Sequence, residues 1–160
     1  MAKLTQQTVY ARQGDRRDVL YAHVELSFPT DRLGHNFTLG NTMAFSITQT
    51  SEVFMRLKSW REEYHTVPVN LDWQTYIHLY DECMRLAGLA IRFDFFGMYG
   101  SNFPALAPVL QTRTRNKHGT FCSKIIVEVL QQHSVALLQL GHIEPSACNP
   151  NTLYVALHRH

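Results

Sequence analysis

The chain is poor in cysteine: Cys83, Cys122 and Cys148 are the only three thiols in 160 residues. Three widely spaced cysteines cannot build a disulfide framework, and an odd count leaves at least one thiol free. A reducing, intracellular and cytoplasmic setting is therefore the expectation. No Cys-x-x-Cys pair is present, and the nine histidines are dispersed apart from His158 and His160. That pair alone supplies too few ligands for zinc, so no metal and no cofactor is expected. A glycine-rich phosphate loop is missing too. Nothing approaches the ~18 to 20 apolar residues of a membrane helix, and the polar first 17 residues do not resemble a signal peptide, so no transmembrane segment is expected. Charge is also sparse, at a net +2 with Lys and Arg scattered. The densest basic run, Arg113, Arg115, Lys117 and His118, holds no aromatic residue, which excludes the broad basic surface that nucleic acid requires. Internal repeats, low-complexity tracts and heptads are absent.

What remains is a chain long enough for one full hydrophobic core and too short for a second domain. Alternation predicts the first elements. A short strand is expected at Thr8 to Ala11, and a longer one from Val19 to Phe28, where Val24, Leu26 and Phe28 interleave with His23, Glu25 and Ser27. A second alternating run has Met43, Phe45 and Ile47 between Ala44, Ser46 and Thr48. If these two runs pair antiparallel, matching faces sets Val24 opposite Ile47, Leu26 opposite Phe45 and Phe28 opposite Met43. His23 then falls opposite Thr48, and Glu25 opposite Ser46.

Ser51 to Lys58 is compatible with helical turns or with a strand, and Thr66 to Leu71 reads as a strand. Asp72 caps a helix running to about Leu86 and closed by Gly88, with Trp73, Tyr76, Ile77, Tyr80 and Met84 on one face and Cys83 as a packing residue. Gly97 to Pro108 reads as loop or short helical turns. Beyond it, Cys122, Ile125, Ile126, Val129 and His133 recur at helical spacing. Val135 to Leu140 reads as a buried strand, and Asn149-Pro150 opens a last helix with proline in its first position.

The chemistry-bearing feature is Cys122 at the start of that amphipathic helix, in Gly119-Thr120-Phe121-Cys122-Ser123-Lys124. First-turn amides stabilise negative charge, which favours a thiol's reactive anionic form. A cysteine on an apolar helix face is commonly mere packing, so the position gains meaning only with a base. His23, about a hundred residues upstream on a strand, is the residue type that takes a thiol's proton.

Four stretches in this order carry a resemblance: His23-Val24-Glu25-Leu26, Phe45-Ser46-Ile47-Thr48-Gln49, Arg92-Phe93-Asp94-Phe95-Phe96-Gly97, and Phe121-Cys122-Ser123-Lys124. From His23 onward the chain resembles the circularly permuted papain-like amidases and peptidases, in particular their YiiX-like branch, and is more distantly similar to the lecithin:retinol acyltransferase-like proteins. The tail from Pro145 to Tyr154 is similar to the family's closing segment. The permuted order, His before Cys, separates this pattern from ordinary papain-like enzymes. The resemblance implies an α+β fold, an antiparallel sheet or small barrel packed against the helix carrying the Cys. It spans residues 19–160 as one domain, with 1–18 as an N-terminal extension or edge strand.

It further implies a thiol hydrolase, an amidase or peptidase/isopeptidase that attacks an amide or ester carbonyl through Cys122 and passes the proton through His23. The Cys122 amide would serve as oxyanion donor. A third polar group should orient the imidazole. Related proteins place it on the strand after the histidine, which points to Thr48 or Ser46. Glu25 stands on the histidine's own face with the better charge, and His35 matches a two-histidine spacing in the acyltransferase-like relatives. Asp94, Phe95 and Phe96 are candidates for walling the substrate pocket. Two other functional classes stay open, a lipid-directed thiol acyltransferase or phospholipase and a catalytically silent interaction module. The sequence leaves the oligomeric state undefined.

Overall fold

Alternating sequence becomes sheet wherever apolar residues two apart can share one face. The computed structural model describes residues 2–10, 21–29, 41–59, 64–102 and 119–158. Strands β1 (Ala2–Tyr10), β2 (Tyr21–Pro29), β3 (Asn41–Ile47), β4 (Val53–Ser59) and β5 (Tyr64–Leu71) form one antiparallel sheet in the order β4-β3-β2-β1-β5. Between β2 and β3, Leu26 faces Phe45 and Phe28 faces Met43, the register that face matching predicts. Residues 51–58, open to either reading, supply β4. The N-terminal residues differ from expectation, because β1 is nine residues long and lies between β2 and β5. It is thus an interior strand of the sheet.

One face of the sheet carries the core. Val24, Leu26, Phe28, Phe45, Ile47, Val67 and Val69 are buried there with residues from two helices, α1 (Trp73–Ala87) and α3 (Cys122–Gln132). Helix α3 lies against β2 and β3, and α1 against β4 and α3. Asp72 caps α1 as expected, accepting from Thr75 N at 2.9 Å, and Gly88 closes it with right-handed backbone. The buried stripe of α1 is Tyr76, Leu79 and Cys83, however, while Trp73 and Met84 of the expected face are 53% and 45% exposed. Of the expected face, Tyr76 and Tyr80 do turn inward, where Phe28 takes them edge-on at 5.6 and 5.3 Å, contacts worth about 1 kcal/mol each beyond area burial.

Connecting elements position the start of α3. Two short strands, β6 (Arg92–Phe93) and β7 (Gly119–Thr120), pair in parallel, and α2 (Phe95–Asn102) follows β6 directly. After α3 the expected strand at Val135 to Leu140 is absent. Ser134 and Ala136 adopt left-handed backbone (φ 57° and 51°), and a short helix α4 (Leu137–Leu140) follows. Ala136 lies within the expected strand, and left-handed backbone there is incompatible with an extended run. The last helix, α5 (Pro150–His158), begins at proline as predicted, with Asn149 accepting from Thr152 N at 2.8 Å. The architecture is mixed α+β.

Candidate functional site

Cys122 is the first residue of α3. The preceding Phe121 is extended (φ −142°, ψ 170°) and offers no side-chain cap, and the first helical bond runs from Ile125 N to Phe121 O. The amides of the first turn are therefore left without intrahelical partners, the arrangement that favours an anion at this end. Two neighbours fix the turn: Ser123 Oγ donates to Cys148 O at 2.6 Å, and Lys124 Nζ donates to Gly119 O at 2.7 Å. The cysteine itself is 3% exposed.

His23 comes from β2, against which α3 packs, and its imidazole lies near enough to the Cys122 thiol for each to act on the other's charge. Its Nε2 lies 3.3 Å from Glu25 Oε1. An imidazole that commits one nitrogen to a carboxylate is fixed in orientation and keeps the other for a proton partner. Burial disfavours the charged ring, but the hydrogen bonds with Cys122 and Glu25 and the charges of those groups outweigh it, and the His23 pKa is raised from 6.5 to about 9. The ring remains 30% exposed.

Glu25 is 1% exposed. Burial alone would push its carboxyl upward; hydrogen bonds and charge attraction from His23 and Lys58 overcome that and hold the pKa below its ordinary value. Lys58 of β4 forms an ion pair with the same Oε1 that meets His23. The second oxygen, Oε2, is buried without a partner among the described residues. Glu25 thus joins His23 and Lys58 in one ionic cluster, and the Cys122 thiol at the helix start acts on the His23 end of it.

The structure separates Glu25 from its rivals. Thr48 Oγ1 is engaged in the β3–β4 turn, at 2.8 Å from Thr50 Oγ1 and accepting from Glu52 N at 3.2 Å. Ser46 Oγ donates to Val24 O at 2.8 Å and so ties β3 to β2. His35 lies outside the described residues. Asp94 serves as a local brace: its carboxylate accepts from Gly97 N at 2.8 Å and its amide donates to Thr120 O at 2.8 Å, two residues before Cys122. Phe96 is largely exposed, and Phe95 packs its ring on Phe93 at 4.7 Å. Lys58 is the group that the sequence pattern missed. Sequence carried no signal for it, because Lys58 lies on β4, with β3 between it and the strand of His23 and Glu25.

The other two thiols differ in setting. Burial raises the Cys83 thiol well above its ordinary range, and burial followed by the charge of Cys122 pushes Cys148 up to about 12. Both are fully buried. Among the described residues, no group of three or more His, Cys, Asp or Glu side chains is placed to hold a metal ion, and no helix is long and apolar enough to cross a membrane. Comparison of the chain with protein-family models, with curated proteins and with solved structures returns no match.

Proposed function

We propose that the protein is a cysteine-dependent hydrolase of the permuted papain-like kind, acting on an amide or ester carbonyl, with peptides and isopeptides as the favoured substrate class. The observation that carries this reading is the placing of His23 between the Cys122 thiol and the Glu25 carboxylate. The His-before-Cys order and the uncapped start of α3 support it.

In this mechanism the Cys122 proton moves to His23, the thiolate adds to the carbonyl carbon, and the oxyanion forms beside the free amides at the start of α3. His23, now charged and held by Glu25, returns the proton to the leaving amine or alcohol as the C–N or C–O bond breaks. Water, deprotonated by the neutral imidazole, then cleaves the thioester and frees the thiol. Cys122 and His23 are the catalytic residues, and Glu25 acts through His23 as a positioning residue.

A pH series of iodoacetamide labelling with site-resolved mass spectrometry tests the pair. Cys122 should label at least tenfold faster than Cys83 and Cys148 in mildly acidic buffer, and His23→Ala should abolish most of that advantage, as expected for a thiol losing its imidazolium partner. Equal Cys122 rates in wild type and His23→Ala at every pH would remove the basis for an enzyme. Turnover of fluorogenic peptide amides, lost in Cys122→Ser, would then identify the substrate class.

A further inference from the structure

A buried carboxylate needs more than one contact to hold a fixed orientation, and among the described residues Glu25 has its contacts on one oxygen only. His23 Nε2 and Lys58 Nζ both address Oε1, and Oε2 has no partner among the described residues. No backbone amide or hydroxyl among them shares the task. If Lys58 is taken away, the carboxylate is left hanging on the ring it is meant to orient.

We propose that Lys58 is a positioning residue of the Cys122–His23 site, anchoring the Glu25 carboxylate so that the carboxylate in turn holds the imidazole against the thiol. This inference rests on the thiol-hydrolase reading above. Several features of β4 fit the role. Register sets Lys58 opposite Thr42 and Arg56 opposite Ala44, so the lysine comes from the strand second-nearest to Glu25 and must reach across β3. Its side chain is 23% exposed, so most of it is withdrawn from water. The Nζ also stands 5.4 Å from the buried Phe54 ring, while the neighbouring Arg56 guanidinium sits over that same ring at 4.2 Å. Arg56 is thus committed to Phe54, and Lys58 is the cation that meets Glu25. Of the other titratable groups at the carboxylate among the described residues, His23 comes from its own strand and Cys122 acts from α3 through His23.

The test is the pH profile of Cys122 alkylation, with thermal melting alongside, in wild type, Lys58→Met, Lys58→Arg, Glu25→Gln, His23→Ala and the double variant Glu25→Gln/Lys58→Met. Without the ammonium, Glu25 takes up a proton at higher pH and releases the imidazolium. Lys58→Met should therefore move the acid limb of the profile upward by roughly one pH unit. Lys58→Arg, which keeps the charge, should restore the wild-type limb. In the Glu25→Gln background, Lys58→Met should change nothing further, because the carboxylate through which it acts is gone. A residue that merely stabilises β4 would lower the melting temperature and leave the profile where it was. An unshifted limb in Lys58→Met, or an equal additional loss in the double variant, overturns the proposal. If Lys58→Met does not fold, the double variant, which buries no unpaired charge, still decides the point against Glu25→Gln. The reading on which the proposal rests fails separately, through an unchanged rate in His23→Ala.

Discussion

At the scale of single residues, the candidate site is governed by what a buried carboxylate requires. Glu25 is taken almost entirely out of water, which is tolerable only because two cations meet it. Thr48, the other candidate for orienting the imidazole, already spends its hydroxyl on the hairpin turn. The two therefore make opposite predictions. Glu25→Gln keeps the shape and removes the charge, so Cys122 alkylation near neutral pH should fall by about tenfold, the equivalent of about 1.4 kcal/mol. Thr48→Ala should leave that rate within about twofold, as for a substitution outside the interaction chain. A larger effect from Thr48→Ala than from Glu25→Gln would reverse the assignment. Sequence made His23 and Cys122 legible because each carries chemistry that its element exposes. It could not choose between Glu25 and Thr48, because strand parity puts both on the histidine's face and says nothing of turn hydrogen bonds. Lys58 was beyond reach for a related reason: its ammonium meets Glu25 across an intervening strand.

At the scale of elements, the hairpin from β3 to β4 shows how a turn residue can serve two purposes. Ser51 sits in left-handed backbone with φ 66°, and its Oγ accepts from Phe93 N at 2.8 Å, tying the turn to β6. Ser51→Ala loses that bond and keeps the backbone strain. Ser51→Gly loses the bond and relieves the strain. Urea denaturation should rank wild type above Ser51→Gly and Ser51→Gly above Ser51→Ala, with the alanine variant lower than the glycine variant by about 1 kcal/mol. The loss common to both should be about 1–3 kcal/mol, for a partly buried amide left unpaired. Equal stability of the two variants would mean the left-handed turn is not populated.

The elements also show where pattern reading stops. Alternation located β2 and β3 and their register, since Val24, Leu26, Phe28, Met43, Phe45 and Ile47 leave one choice of face. Helix α1 was found with both caps, yet its buried stripe lies one step round the helix. Large amphipathic side chains such as Trp73 satisfy a hydrophobic stripe from the rim as well as from the core. The polar run Thr5-Gln6-Gln7-Thr8 hid the interior strand β1, whose place is fixed by partners on both sides and not by its own apolar content. Val135 to Leu140 has strand composition, but the positive φ at Ser134 and Ala136 breaks the run.

At the scale of the whole molecule, the site and the core are one structure. Helix α3 brings Cys122 to His23 with the same residues, Ile125, Ile126, Val129 and Leu130, that fill the space above the sheet. Charge at the site must therefore be felt in global stability. The folded state raises the His23 pKa from 6.5 to about 9, so between those values it binds protons that the unfolded chain has released. Stability then falls as pH rises: the contribution of His23 is fully present below about 6.5 and lost as pH passes about 9. Glu25 acts at the other end. Its folded pKa is lowered, so its contribution is present above the unfolded carboxyl value and lost as pH falls through the folded one. A stability plateau should lie between these two limbs. Allowing for solvent screening at a partly exposed ring, the alkaline limb should amount to on the order of 2 kcal/mol. Thermal melts of wild type and His23→Gln between the two His23 values measure it. The wild-type midpoint should decline across this window and the His23→Gln midpoint should stay flat, apart from a slope common to both. Parallel curves would show that the folded chain does not hold a proton on His23, and the ring would then lack its partnership with Glu25 and Cys122.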